Sequence, residues 1–447
     1  MNGEGLAAFT DLYELTMVQA YLEESMLDRA VFSLFSRRLP EPRNYLLASG
    51  IDTVLELLET VSFTEDQVDY LGTLPQFNRR FLDWARQFRF TGSIRAVADG
   101  TPVFANEPIL EVTAPLPEAQ LLETLIMNQV SVETVLASKA SRIVHAARGR
   151  AVIDFGARRM HGIDASLKAA RAFHIAGIKA TSNVLAGHRY GIPVSGTMAH
   201  SYIQAHDSEM DAFRAFTRLY PETVLLVDSY DTLAGVAKVI ALARERGDDF
   251  AVQSIRLDSG DLADLSKEAR DMLDEAGLRQ VKIFASSGLD EYGIDELLAR
   301  DAPIDGFGIG THMGVASDAP GLDLAYKLCE YAGRGRLKLS SSKPIMPGPK
   351  QVFRVLDDNG AAIRDVIARA EESLDGEPLL HLCMENGRRL APARKLDDIR
   401  DRTAAEIDRL PASIRRLAPV PASYPVAMSD ALSQYHEAVK KEVESHD

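Results

Sequence analysis

The sequence predicts an α/β fold, an incomplete parallel βα barrel plus an α+β domain formed by the N-terminal region and a returning C-terminal segment. Three observations predict it. Seven short apolar segments alternate with helical ones between residues 151 and 310, mostly at intervals of about 25–30 residues, the pattern of a parallel sheet. Gly- and Pro-punctuated β-like stretches flank this series on both sides. The chain has 447 residues, more than one core usually holds, so two or three domains are expected.

Each element has its own signal. DLYELTMVQAYLEES is an amphipathic helix, and AVFSLFSRRLP reads as a strand entering a Pro-bounded loop. FTGSIRAVADGTPVFANEPILEVTAP alternates apolar and polar residues, as a small antiparallel sheet does, and EAQLLETLIMNQVSVETVLASKASRIVHAAR follows as one long helix. The predicted barrel strands are AVIDFG, IKATSN, IPVSGT, ETVLLVD, AVQSIRLD, VKIFAS and IDGFGIG; helices between them close at Gly177, Gly247 and Gly277. Beyond residue 335, RLKLSSS, KQVFRVLD and PLLHLCME are β-like, and a polar helical tail ends the chain. The expected division is 1–140 with 335–400 returning to it, a catalytic barrel over 141–334, and a helical extension over 401–447.

Composition narrows the function. Hydrophobic residues make up 46% and charged residues 26%, ordinary for a soluble globular enzyme. No apolar run approaches the roughly 20 residues needed to cross a bilayer. The N-terminus does not read as a signal peptide, and the two cysteines, Cys329 and Cys383, form no paired motif, so a cytoplasmic setting is expected. A net charge of −15 argues against nucleic acid and anionic membranes as partners. Small anionic ligands would need local basic groups: Arg37-Arg38, Arg158-Arg159, or the series Lys338, Lys343, Lys350 and Arg354. A solvated surface is the plainer reading of any one such pair.

In βα barrels chemistry collects at the C-terminal strand ends. Those positions carry Arg158 and Arg159, Ser182 and Asn183, Thr197 and His200, Asp228 and Asp231, then Arg256, Asp258 and Asp261. Ser286, Ser287 and Gly288 follow, with Gly308, Gly310 and Thr311. SSGLDE and GIGTH each follow a strand and offer backbone N–H groups to an anion, like the phosphate site after the last two strands of many barrels. LDSGD suits Mg²⁺ held partly by substrate phosphates at Asp258; for Asp261 a helix N-cap is the favoured reading. In GTMAHSYIQAH, His200 and His206 stand six apart, about 240° around a helix, so they do not share an ion. His206 reads as packed or exposed. His200, past a strand end and at a helix start, reads as a neutral nucleophile or base whose second nitrogen needs an acceptor, and Asp228 on the next strand is the expected one.

DFGARR, GTMAHS, LLVDSYDT, RLDSGDL and GIGTH, in this order and on these strands, resemble nicotinate phosphoribosyltransferase; TDLYELTM and KLSSSKPIMPGPKQVFR resemble the same family. The resemblance spans residues from about 9 to about 355. It implies phosphoribosyl transfer from PRPP to nicotinate, the first step of NAD salvage from nicotinate, coupled to ATP hydrolysis through a phosphohistidine. It also implies Mg²⁺ and a homodimer with sites completed across subunits. By the same resemblance His200 is the phosphorylated residue and Asp228 orients it, while Tyr13, Phe155, Arg158, Thr197 and Arg256 bind nicotinate. Tyr13 would come from the neighbouring subunit, and Arg158 and Arg256 would also meet phosphates. Ser287, Gly288, Gly310 and Thr311 would hold the phosphate of PRPP.

Nicotinamide phosphoribosyltransferase is the nearest alternative; it carries an aspartate after the second barrel strand where this chain has Ser182, which favours the acid over the amide. Quinolinate phosphoribosyltransferase shares the architecture but has no need of GTMAHS. A non-catalytic nucleotide-binding protein on the same scaffold is a further alternative, disfavoured by the intact His200, Asp228, Arg256 and Asp258 set.

Overall fold

The computed structural model describes residues 3–339 and 345–445. They divide into two units, one of residues 1–138 with 319–447 and one of residues 139–318.

The first unit is built on a seven-stranded antiparallel sheet. Its order is Arg334–Gly335, Leu324–Tyr331, Arg29–Ser36, Pro108–Pro115, Ser93–Ala96, His381–Glu385, Arg388–Arg389. Arg29–Ser36 is central and buried along all but its first residue, so it reads as a near-continuous run, AVFSLF, instead of an alternating one. The chain returns to this unit at Ala319, earlier than the expected 335, because Leu324–Tyr331 pairs antiparallel with Arg29–Ser36, with one register shift between Val31 and Phe32. The tail is also more than a helical extension. Val426–Met428 adds a parallel strand beside Ala362–Arg369, and Leu432 of the helix Asp430–Glu444 is wholly buried in the core. The predicted long helix is two, Leu116–Leu121 and Glu123–Ala146, interrupted at Leu122.

Two of the basic groups proposed for anions are internal to this unit. Lys350 is buried with Nζ 3.1 Å from Glu111, and buried Arg354 pairs with Asp365 at 2.6 Å. Arg37 and Arg38 both reach Asp323, at 3.2 and 3.0 Å. Lys343 lies outside the described residues, as does part of the KLSSSKPIMPGPKQVFR stretch.

The second unit holds six parallel strands in the order Ala180–Thr181, Ala151–Asp154, Gly306–Ile309, Lys282–Ser286, Ser254–Leu257, Val224–Leu226. The sheet is open at both edges, an incomplete barrel. The seventh predicted strand, IPVSGT, contributes a single parallel bridge from Val194 to Thr181. Pro193 lacks the N–H that a ladder would use, which limits how far that pairing extends. Register aligns Leu226 with Arg256, Ala285 with Leu257, Gly308 with Ser286 and Ile309 with Asp154. The C-terminal strand ends therefore lie side by side. Helices start immediately beyond them with carboxylate or amide caps: Asn183, Asp231, Asp261 and Asp290 each accept backbone N–H groups. Asp261 is thus a cap, also paired with Arg300 at 3.1 Å.

Candidate functional site

The strand ends of the second unit place one arginine at the centre of a polar cluster. Arg256 lies on Ser254–Leu257 and donates from Nε to Ser286 Oγ (2.8 Å) and from Nη1 to Thr197 Oγ1 (3.0 Å). Its Nη2 is 3.0 Å from Asp258 Oδ1, and its guanidinium carbon stands 5.5 Å from the centre of the Phe155 ring. Ser286 in turn donates to Asp258. Three partners use one donor each, and a guanidinium carries five, so two N–H groups remain for a ligand. The Phe155 ring rests against Gly308, where an added Cβ would lie 2.6 Å from it, and tilts against Phe284 at 6.2 Å. Gly308 keeps that ring seated; no side chain fits between them.

His200 opens the short helix His200–Gln204, as the sequence suggested, but its partner differs from the expected one. Nδ1 is 3.0 Å from Ser229 Oγ, and Nε2 is 3.8 Å from Asp258 Oδ2, with the side chain 41% exposed. Asp228 does not orient this ring. Its Oδ2 accepts from the Asp258 N–H (3.0 Å) and from Ser259 Oγ (2.6 Å), tying together two adjacent strand ends. Val227 still follows the ladder, donating to Arg256 O at 3.3 Å, so the next residue turns toward the neighbouring strand and the one after it toward His200. Asp228 Oδ1 is buried with no hydrogen-bond partner.

The two glycine turns flank this cluster. Ser287 has φ of 130° and Gly288 of 53°. A non-glycine residue held at positive φ costs free energy, a feature that concentrates at functional loops. The helix after this turn is fixed by its first residue, Glu291, which accepts from Lys139 (2.5 Å) and Arg142 (2.8 Å) in the interior. Gly310 precedes the one-turn helix Thr311–Gly314, and Thr311 is exposed. Arg158, in the short 3₁₀ turn Ala157–Arg159 after the first barrel strand, is exposed. Ser182 follows the strand Ala180–Thr181, its N–H bonded to Asp154 O at 2.8 Å.

Two sequence assignments fall outside the cluster. His206 Nδ1 is 2.8 Å from Tyr202 O and the ring packs on Tyr202, an ordinary structural role. Tyr13 belongs to the first unit, half exposed on the helix Leu12–Glu23. Partial burial and the neighbouring Glu123 and Glu14 carboxylates push its phenol well up. Burial likewise raises Glu14 to about 7 against hydrogen bonds from Thr10 and Thr124. Ser229 and Ser259 contact His200 and Asp228 in the candidate site and were not among the residues read from the sequence, though each adjoins one that was.

The donor set also tests the Mg²⁺ expectation. Among the described residues no three His, Cys, Asp or Glu side chains converge as a cage. Asp258 and the unpartnered Asp228 Oδ1 instead fit an ion that keeps waters and takes its remaining oxygens from substrate phosphates. Among the described residues no helix is long and apolar enough to cross a membrane.

Comparison with known proteins matches the chain to three family models. These are the nicotinate phosphoribosyltransferase N-terminal domain over residues 9–131, the nicotinate phosphoribosyltransferase family over 151–339, and the C-terminal domain over 373–436. The chain is 55% identical to nicotinate phosphoribosyltransferase pncB2 of Mycobacterium tuberculosis over 95% of its length and 92% of the relative. It is 40% identical to nicotinate phosphoribosyltransferase of Bacillus subtilis over 85% and 79% of the two chains. Its structure resembles that of human nicotinic acid phosphoribosyltransferase with a TM-score of 0.86 and 27% identity, covering 96% of this chain and 99% of that one. The chain belongs to the nicotinate phosphoribosyltransferase family.

Proposed function

We infer that the chain is a nicotinate phosphoribosyltransferase, converting nicotinate and PRPP to nicotinate mononucleotide and pyrophosphate in NAD salvage. The observation that carries the reading is Arg256, a guanidinium with two spare donors standing over an aromatic ring. That pair suits a flat pyridine carboxylate, its ring on Phe155 and its carboxylate on Arg256. Thr197, Ser286 and Asp258 fix the guanidinium plane, so orientation is set before the substrate arrives.

In the transfer, the pyridine nitrogen lone pair forms a bond to the ribose anomeric carbon as the carbon–oxygen bond to pyrophosphate breaks. The departing electron pair stays on pyrophosphate, and the ring nitrogen has no proton to lose. Arg158, in the turn after Ala151–Asp154, supplies positive charge to the leaving group. Ser287, Gly288, Gly310 and Thr311 offer backbone N–H groups and a hydroxyl to the 5-phosphate. Asp258, with Asp228 Oδ1, would hold Mg²⁺, whose charge lowers the cost of pyrophosphate departure.

ATP coupling belongs to the same proposal. Nε2 of half-exposed His200 forms a bond to the γ-phosphorus of ATP as ADP leaves, and water then cleaves that N–P bond to release phosphate, which drives the transfer toward product. Ser229 holds one ring nitrogen and Asp258 faces the other. In a homodimer, Tyr13 would cover the second face of the pyridine ring in the opposite subunit's site; its exposure on the first unit supports this.

The test uses purified protein with PRPP, Mg²⁺ and nicotinate. Equal amounts of nicotinate mononucleotide and pyrophosphate are expected, and no mononucleotide would overturn the reading. With γ-³²P-ATP, an acid-labile protein label is expected in wild type and His206→Ala but not in His200→Ala. A label that survives His200→Ala would move the nucleophile elsewhere.

A further inference from the structure

A cavity of about 210 Å³ lies wholly within the first unit. Its walls come from the start of the helix Ile51–Leu58, residues 96–99, the hairpin around 381–392 and the helix Leu396–Arg409. None of its lining residues belongs to the Arg256 cluster.

Three arginines line it, and two are incompletely satisfied. Arg389 donates to Asp52 Oδ1 at 2.6 Å and to Asp52 O at 3.3 Å, yet its Nε is buried without a partner. Arg402 donates to Thr101 Oγ1 at 3.3 Å and to Asp99 O, and its Nε too is buried without a partner. Both arginines line the cavity and bring positive charge to its wall. Burial, and after it the exposed Arg394, disfavour the Arg402 charge against the pull of Glu406 and Asp99; burial and Arg394 also push the His381 imidazole down. Asp52 and Asp99 line the same cavity, so its wall carries three arginines against two carboxylates. Asp99 accepts from the Ile51 N–H at 2.9 Å and the Asp52 N–H at 3.4 Å, while Asp52 is held by Arg389. Around these charges the lining is apolar, with Leu55, Val97, Leu390, Pro392 and Ile399.

We propose that this cavity binds a small organic anion, its phosphate or carboxylate on Arg389, Arg394 and Arg402 and its apolar body against Leu55, Val97 and Ile399. The volume falls below the roughly 300–1,000 Å³ of drug-sized sites, so the body is a single ring or short chain. Phosphoribosyl transfer does not require this site.

Cys383 lines the cavity, and the other cysteine, Cys329, is fully buried, so a thiol reagent reports on occupancy locally. Burial pushes the Cys383 thiol up, so alkylation by iodoacetamide is followed at mildly alkaline pH. Phenyl phosphate or benzoate is expected to protect Cys383 saturably, and inorganic phosphate, lacking the body, at concentrations at least about tenfold higher. The two organic probes tell a phosphate head from a carboxylate one. Arg402→Gln and Arg394→Gln should each weaken protection about tenfold or more. Arg394 makes no ion pair among the described residues, so its replacement leaves the fold intact. Protection by neither organic probe, equal protection by inorganic phosphate, or protection undiminished in both variants would overturn the proposal.

Discussion

Arg256→Lys removes the planar fork while keeping the charge, and the structure sets the size of its effect. The guanidinium meets Ser286 at 2.8 Å, Thr197 at 3.0 Å and Asp258 at 3.0 Å from three different nitrogens. A lysine ammonium is a single point at the end of its chain and reaches one of these partners. It therefore also forfeits the two spare donors assigned to the carboxylate and the flat cation over Phe155. Hydrogen bonds to charged groups contribute about 1.5–3 kcal/mol each, so losing those two costs about 3 kcal/mol of substrate binding at the low end. If this arrangement binds the pyridine carboxylate, kcat/KM for nicotinate falls roughly 150-fold or more. The assay is steady-state mononucleotide formation with nicotinate varied at saturating PRPP, with Tm as a control for folding. A kcat/KM within about threefold of wild type, in a folded variant, would refute the assignment of Arg256.

Three further outcomes follow from particular residues. Gly308→Ala places a Cβ 2.6 Å from the Phe155 ring, so it should destabilise by about 1–3 kcal/mol and raise KM for nicotinate, read by thermal melts and kinetics; an unchanged KM would detach that ring from the substrate. Ser182→Asp puts a carboxylate beside the first barrel strand, and the ratio of kcat/KM for nicotinate over nicotinamide should fall at least about tenfold. Glu14 is raised by burial from 4.5 to about 7, so the folded chain holds a proton there that the unfolded chain releases. This group's stabilising effect is full below about pH 4.5 and lost as pH rises through about 7, so Glu14→Gln should flatten the decline in Tm between about pH 5 and pH 8, whereas parallel curves would contradict the shift.

The strand-and-helix rhythm was legible because barrel strands buried on both faces read as short apolar runs, and their helices carry Asn or Asp caps. IPVSGT misled because a proline-containing apolar run looks like a strand even where it makes one bridge. The returning segment was placed late, since pairing of Leu324–Tyr331 with a strand almost 300 residues earlier leaves no local sign. Within the candidate site, residue types at strand ends pointed to loops whose side chains the structure brings together around Arg256. Which of two adjacent side chains faces His200 was not legible, because it depends on how far the ladder runs past Leu226. Lys350 and Arg354 read as anion receptors in the sequence, whereas Glu111 becomes a neighbour only through contact between two sheets and Asp365 only through strand register. The cavity arginines were invisible for a similar reason: Arg389 and Arg402 meet Asp52 and Asp99 from opposite ends of the chain.

The central claim is that the strand-end cluster recognises a pyridine carboxylate and passes it a phosphoribosyl group. Measuring kcat/KM for nicotinate and nicotinamide side by side, with PRPP and Mg²⁺ at saturation, tests it most directly. Nicotinate is expected to be preferred at least about a hundredfold, because only the acid can pair with the spare donors of Arg256. Equal rates, or a preference for the amide, would contradict the account.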